Sequence, residues 1–271
     1  MDLRRRYNLT VTGPDDGPTV VLAHGFGCDQ NLWRLVAPIL AEDFRVVMFD
    51  HVGSGRSDVS AWSAERYGGL EGYAEDVREL CRGLGMGPVV FVGHSVSASI
   101  GVLAAVAEPE LFAGLVMLAP SPCFIDDPST GYRGGFTAGD IDELLESLDS
   151  NYLGWSATMA PVIMGNPDRP ELGEELTNSF CRTDPAIAQV FARATFLSDN
   201  REDLSGVTVP TLVAECAYDA IAPREVGAFV HGRITGSELV TLDATGHCPQ
   251  LSEPEATAAA ISAFAARITG R

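Results

Sequence analysis

Short apolar, β-branched runs recur along this chain at Tyr7–Val11, Thr19–Ala23, Arg45–Phe49, Val89–Val92, Leu115–Leu118, Thr211–Ala214 and Glu238–Leu242. Amphipathic stretches near 71–84, 95–107, 223–232 and 254–268 separate most of them. Runs that are apolar throughout, rather than alternating, suit strands buried on both faces. Such strands alternating with helices predict a mostly parallel central sheet with helices on both faces, an α/β fold.

One stretch breaks this rhythm. Between Pro120 and Val209 roughly 90 residues pass without a convincing buried strand, far beyond ordinary connection lengths. Apolar positions there take helical spacing. Ala138–Asn151 carries Ile141, Leu144, Leu145 and Leu148; Trp155–Met164, Pro170–Cys181 and Asp184–Leu197 follow, punctuated by prolines at 161, 167, 170 and 185. This predicts four helices inserted between two strands. The expected organisation is a core of residues 1–120 and 208–271 with a helical cap, 121–207. Ligands bind at the carboxyl ends of strands in open α/β sheets, so a cap there would roof the site.

Composition narrows the function classes. The 271 residues are 46% hydrophobic, enough for one α/β domain with an insertion. The formal net charge is -19, and all 18 basic residues are arginine. That balance argues against nucleic acid and against anionic membrane surfaces. No apolar run approaches the roughly 18 residues of a membrane span. The basic start, Met1 to Thr10, has no apolar stretch behind it, so no export signal is expected. The six cysteines, at 28, 81, 123, 181, 216 and 248, form no C-x-x-C pair. They read as reduced thiols of a cytoplasmic protein, with no metal and no cofactor expected.

The candidate chemistry begins at Pro88-Val-Val-Phe-Val-Gly-His-Ser-Val-Ser-Ala, where an apolar run stops at Gly93 and a small-residue helical stretch starts after Ser95. A strand, a sharp turn and a helix with serine at the apex describe a nucleophile elbow. As a string, Gly-x-Ser-x-Ser also fits a helix N-cap serine; the context on both sides favours the elbow. Ser97 stands where the elbow pattern has glycine, a position that demands smallness.

A serine hydroxyl needs a base, and a base needs an orienting carboxylate. Of the five histidines, His247 follows the last strand in Asp243-Ala-Thr-Gly-His-Cys-Pro. Asp219 ends the run beginning at Thr211, just after a strand; Asp243 and Glu215 are weaker rivals. The order Ser95, Asp219, His247 is the chain order of α/β hydrolases. Oxyanion donors are expected from the N–H groups of Val96 and of Phe26, in the glycine-flanked loop His24-Gly-Phe-Gly. Gly53-x-Gly55 could suggest a dinucleotide fingerprint, but Asp58 holds the third glycine position, so a tight turn is the better reading.

Together, His24-Gly-Phe-Gly, Asp50-x-x-Gly-x-Gly-x-Ser, Gly93-His-Ser-Val, Asp219 and Gly246-His247 resemble an α/β hydrolase over nearly the whole chain. More narrowly, Gly25-Phe-Gly-Cys-Asp-Gln, Gly93-His-Ser-Val-Ser-Ala, Pro120-Ser-Pro-Cys, Gly134-Gly-Phe, Asn151-Tyr-Leu-Gly-Trp155 and Gly246-His-Cys-Pro resemble the RsbQ-like and strigolactone–karrikin receptor-like family. Ser97-Ala98 looks more like its plant branch. The resemblance implies a Ser–Asp–His triad and a deep apolar pocket. Phe136, Trp155 and Phe196 become its wall candidates, with Phe26 and Val96 near the nucleophile. Phe124 and Met159 join them as large apolar groups of the cap.

Three functions are then open. The first is hydrolysis of a small apolar ester or butenolide-type lactone, related to strigolactone hydrolysis. The second is a ligand sensor acting through its cap on a protein partner, such as the PAS-domain phosphatase of stress signalling. The third is a general carboxylesterase or carbon–carbon hydrolase.

Overall fold

A computed structural model describes residues 2–85 and 87–270; the outermost positions of the expected core, Met1 and Arg271, lie outside the described residues. The strands are β1 (Thr10–Thr12), β2 (Thr19–Ala23), β3 (Arg45–Met48), β4 (Val89–His94), β5 (Phe112–Leu118), β6 (Thr211–Tyr218) and β7 (Glu238–Thr245). They form one sheet in the order β1-β3-β2-β4-β5-β6-β7. β1 runs antiparallel to β3 at one edge, and every other pairing is parallel.

Strand periodicity explains why the runs are apolar throughout. Val20, Leu22, Val90 and Val92 point to one core, and Val21, Ala23, Val89 and Phe91 to the other. The longer helices are α1 (Glu71–Leu84), α2 (Val96–Ala107), α3 (Ala138–Ser150), α4 (Tyr152–Met164), α5 (Pro170–Phe180), α6 (Pro185–Phe196), α7 (Arg224–Arg233) and α8 (Pro254–Thr269). Tyr73 and Val77 of α1, Ile100 of α2 and Val226 of α7 cover one face. Ile261 and Phe264 of α8 cover the other.

The expected strand Tyr7–Val11 is displaced. Leu3–Arg6 form a helical turn whose first turn is capped by the Asp2 side chain. Asn8 takes φ 47 and breaks the extended path, so pairing begins only at Thr10. Tyr7 is instead a core residue, fully buried, with its hydroxyl donating to Glu79 at 3.1 Å. The basic N-terminal stretch docks on α1, where Arg6 pairs with the buried Asp76 at 3.2 Å.

Strands β4, β6 and β7 run past their apolar stretches to His94, Tyr218 and Thr245. Hydrophobicity marks the core-facing part of a strand, whereas its carboxyl end carries polar residues toward the ligand side. The chain between β5 and β6 carries α3, α4, α5 and α6. Backbone pairing of Cys123 with Asp199, and of Asn200 N–H with Pro122 O at 2.8 Å, ties its two ends together. Ile141, Trp155, Leu176 and Phe196 from these helices share a hydrophobic cluster with Leu118 and Ala214 of the sheet.

Candidate active site

The turn after β4 holds Ser95 at φ 56, ψ -123, a conformation that costs a non-glycine residue about 1–3 kcal/mol. Neighbouring strand and helix enforce it. Ser95 N–H donates to Leu118 O at the end of β5, and Ser95 O accepts from Ala98 N–H in α2, both at 2.9 Å. Gly93 permits the crossing, since a Cβ there would lie 2.3 Å from Ser97 O.

Ser97 is more than small. It is fully buried, and its hydroxyl donates to His24 O at 2.5 Å. That hydroxyl has one proton, so His51 Nε2–H is the donor in the 2.8 Å contact with Ser97 Oγ. His51 N–H in turn donates to His24 Nε2 at 3.1 Å, and His24 Nδ1–H to Gly25 O at 2.8 Å. Burial, reinforced by the neighbouring imidazole of His24, holds His51 well below the usual histidine range. Burial also lowers His24. Both rings are therefore neutral and fasten the His24–Phe26 loop to the first turn of α2. Sequence reading missed His51; an imidazole three residues after a β-branched run carries no distinguishing signal.

Ser95, Asp219 and His247 come together from the ends of three strands. Asp219 Oδ2 can only accept, so His247 Nδ1 carries the proton in their 2.7 Å contact, and Ser95 Oγ–H donates to Nε2 at 2.7 Å. Asp219 Oδ1 accepts from Ile221 N–H at 2.8 Å and Ala222 N–H at 3.1 Å. Burial pushes the Asp219 carboxyl up, but the adjacent imidazole and these two amides outweigh it, leaving the pKa below its ordinary value. The rival carboxylates are committed elsewhere. Glu215 binds Arg224 at 3.1 Å and Thr241 at 2.8 Å, and Asp243 is exposed.

The loop carrying His247 is clamped on both sides. His247 N–H donates to Ile163 O of α4 at 2.8 Å, and Gly246 N–H to Tyr218 O at 2.7 Å. Gly246 has φ 87, and a Cβ there would sit 1.8 Å from Met164 O. His94 Nε2–H donates to His247 O at 2.7 Å. Burial, then the nearby His247, lowers the His94 pKa to about 3. It is a neutral strut between elbow and base.

Gly25 lets the loop after β2 lie against the serine: a Cβ there would be 2.8 Å from His94 Nδ1 and 3.3 Å from Ser95 Cβ. Phe26 follows it, and its ring meets those of Trp155, Phe180, Phe191 and Phe196 at centroid distances of 5.7–6.1 Å. Ser95 opens into a cavity of about 40 Å³ behind these rings. Phe26, Phe124, Trp155, Met159 and Phe196 line it.

Two expected wall residues do not. Phe136 is half-buried at the start of the insertion, bridged to Ile125 and with its N–H donating to Phe124 O at 3.2 Å, and packs against the cluster that holds Phe124 and Trp155. The Val96 side chain packs into the opposite core, because the first turn of α2 directs it there; only its N–H remains a candidate. Leu144, Ile163, Leu176, Phe180, Thr195 and Ile221 also line the cavity, with no sequence signal that assigns them there. Phe180 and Phe191 look alike as insertion aromatics, yet Phe191 stacks on Tyr73 at 4.5 Å on the other side. Cys28 and Cys248 also line the cavity, with burial pushing Cys28 up to about 12 and Cys248 well above its ordinary value. Both are neutral thiols.

A larger groove of about 830 Å³ lies outside, along Val162, Tyr218, Arg224 and Leu239. It is open to solvent and lacks the serine. Gly53-x-Gly55 forms a turn around Asp50, which accepts from Gln30 N–H at 2.8 Å and Arg56 N–H at 2.8 Å. Among the described residues, no group of three His, Cys, Asp or Glu could hold a metal ion, and no helix is long and apolar enough to cross a membrane.

Residues 20–260 match the alpha/beta hydrolase family. The chain is 36% identical over 248 residues to strigolactone esterase D14 of Arabidopsis thaliana, covering 91% of each. It is 37% identical over 256 residues to karrikin insensitive 2 receptor IA of Petunia hybrida, covering 94% of this chain and 92% of the relative. The structure superimposes on a hydrolase from Oleispira antarctica with a TM-score of 0.94 at 42% identity, covering 97% of this chain and 96% of the other.

Proposed function

This chain belongs to the alpha/beta hydrolase family and is a hydrolase, and from that premise we propose that it cleaves a small carboxylic ester or lactone through Ser95, His247 and Asp219. The observation that carries this reading is the pair of 2.7 Å contacts running from Ser95 Oγ through His247 to Asp219. Ser95 Oγ attacks the carbonyl carbon while His247 Nε2 takes its proton. Asp219 holds the imidazolium that results. The oxyanion accepts from the N–H groups of Phe26 and Val96, the latter at the helix N-terminus. Collapse expels the alcohol, protonated by His247, and leaves an acyl-Ser95 ester. Water, deprotonated by the same imidazole, then attacks the acyl carbon; the acyl–O bond to Ser95 breaks, His247 returns the proton to Ser95 Oγ, and the acid is released.

Size supports the word small. The cavity of about 40 Å³ is far below the roughly 300–1,000 Å³ of drug-sized ligand sites. A short acyl group fits; a longer one must displace the aromatic wall. A strigolactone-type butenolide, the substrate class in a relative's name, is the lactone to test. Reaction with a fluorophosphonate, followed by peptide mapping, is expected to place one adduct on Ser95, with turnover of short p-nitrophenyl esters lost in parallel. Full turnover by the fully labelled protein would overturn the reading.

One observation favours a second reading, a ligand sensor working through its cap. His247 N–H is bonded to α4, so a ligand that shifts the wall also strains the catalytic loop. Hydrogen exchange on Ser95→Ala with a strigolactone analogue should then show changed protection in α4 and around Gly246. Unchanged protection at saturating ligand removes this reading and leaves the enzyme.

A further inference from the structure

Three buried polar side-chain atoms on residues lining the cavity lack a hydrogen-bond partner: His94 Nδ1, Trp155 Nε1 and Thr195 Oγ1. His94 Nδ1 faces the backbone of Gly25. The Trp155 ring is stacked between Tyr152 and Phe180. Thr195, only 1% exposed, stands beside Phe196 near the end of α6.

A threonine inside a helix normally returns its hydroxyl proton to the carbonyl four residues back. Several helical hydroxyls of this protein do so. Ser156 bonds Tyr152 O at 2.8 Å, Thr158 Gly154 O at 3.0 Å, Thr177 Gly173 O at 2.8 Å and Thr257 Glu253 O at 2.8 Å. Thr195 does not, although it is more deeply buried than Thr158 or Thr177. A buried hydroxyl without a partner is a standing cost, which valine, of nearly the same shape, would not carry. Apart from Ser95, His94, His247, the two thiols and Trp155 Nε1–H, the cavity is walled by rings and aliphatic groups, so a ligand oxygen that reaches Thr195 Oγ1 meets a donor already stripped of water.

We propose that Thr195 Oγ–H is a specificity-determining donor for a second oxygen in the bound acyl group. The preferred substrates are then small esters or lactones carrying an ether, keto or ring oxygen besides the scissile carbonyl. The inference rests on the hydrolase reading above and deepens it. Purely aliphatic acyl groups of equal size leave the hydroxyl unpaired and bind less well.

The test uses matched p-nitrophenyl esters. Methoxyacetate and butyrate have acyl groups of the same length that differ by one oxygen for one methylene. Their intrinsic reactivities differ, but that difference cancels when the ratio of kcat/KM is compared between proteins. Thr195→Val is expected to lower the methoxyacetate-to-butyrate ratio about three- to tenfold, with Thr195→Ser restoring it. Its Tm should hold or rise. An unchanged ratio in a folded Thr195→Val protein overturns the proposal. Titrations on Ser95→Ala separate it from the hydrolase reading. There, Thr195→Val should weaken binding of the methoxyacetyl ester by the same factor and leave the butyryl ester alone, whether or not the wild type turns either over. Equal effects on both esters overturn the proposal.

Discussion

The sheet side and the helical side of the cavity are built on opposite principles. Around Ser95 the sheet side is knit by short, buried hydrogen bonds, elbow to β5, His247 to Asp219, Ser97 to His24 and His51, His94 to the His247 loop, and what it leaves unpaired there is the acceptor Nδ1 of His51 and of His94. The helical side presents rings and leaves two donors, on Trp155 and Thr195, unpaired. A network of short, interlocked hydrogen bonds has one geometry, which suits a reaction needing atoms held to fractions of an ångström. An apolar wall is held by contacts that can be remade, and an unpaired donor is paired only when something enters. On the proposed reading, one side fixes the chemistry and the other selects the guest.

Breaking the sheet side should abolish reaction and spare binding. Ser95→Ala removes the proposed attacking atom, and kcat on short p-nitrophenyl esters is expected to fall at least 10⁴-fold, while the protein keeps its Tm or gains, since the backbone turn persists. A residual rate within tenfold of wild type would mean the reaction runs elsewhere. The clamp on the base comes next. Gly246→Ala forces a Cβ to within 1.8 Å of Met164 O, so the loop must move and His247 with it. Misplacement by about 1 Å commonly costs about 10²-fold, and that drop in kcat with a folded protein is expected. A kcat within threefold would show that α4 does not position the base.

The difference between the two sides also explains what the sequence reveals. β4 and its turn are legible because an apolar run can stop only on a residue that tolerates contact with Ser97 O, and Gly93 advertises it. The parallel sheet is legible because residues facing both cores are apolar. Tyr7 misleads for the same reason: its aromatic ring suits a strand, but its burial comes from a turn broken at Asn8. In the insertion, helical periodicity reveals that Phe180, Phe191 and Phe196 are apolar and no more, and which of them faces Ser95 depends on how α5 and α6 cross the sheet, a tertiary matter. Phe136 lies before the first of these helices, paired with Ile125, and only the family resemblance points to it as a wall residue. His51 is unreadable because its role depends on Ser97, distant in sequence.

Acid should unpick the sheet side before the helical side. His24, His51 and His94 all have lowered pKa values in the fold, about 3 for His94. In the unfolded chain each titrates near its ordinary value of about 6.5. Between those limits the unfolded state binds more protons, so stability is fully present above about pH 6.5 and falls as pH drops toward 3. The slope is up to about 1.4 kcal/mol per pH unit for each histidine. Denaturant midpoints measured from pH 7.5 to 4.5 should fall accordingly, and less steeply in His51→Gln. A flat profile would contradict neutral buried rings. At pH 7.5, His51→Leu leaves Ser97 without its donor and loosens the His24–Phe26 loop, the proposed source of an oxyanion donor. A roughly tenfold loss in kcat with little change in KM is expected, largely recovered in His51→Gln, whose amide still donates.

The smallest effect, and the sharpest contrast, lies on the helical side. Phe180 stacks on Trp155 at 5.7 Å and meets Phe26 at 5.8 Å, and it makes no polar contact with the triad through its side chain. Phe180→Leu therefore enlarges the cavity without touching the hydrogen-bonded network. The rate on p-nitrophenyl acetate should stay within about twofold, because acetyl needs no extra room. The rate on hexanoate should rise by a few-fold, because the wall no longer has to move. If acetate and hexanoate shift together, the ring acts on the chemistry rather than on admission. The two sides would then be one coupled device, as a sensor requires, since the guest could not change without changing the geometry at Ser95.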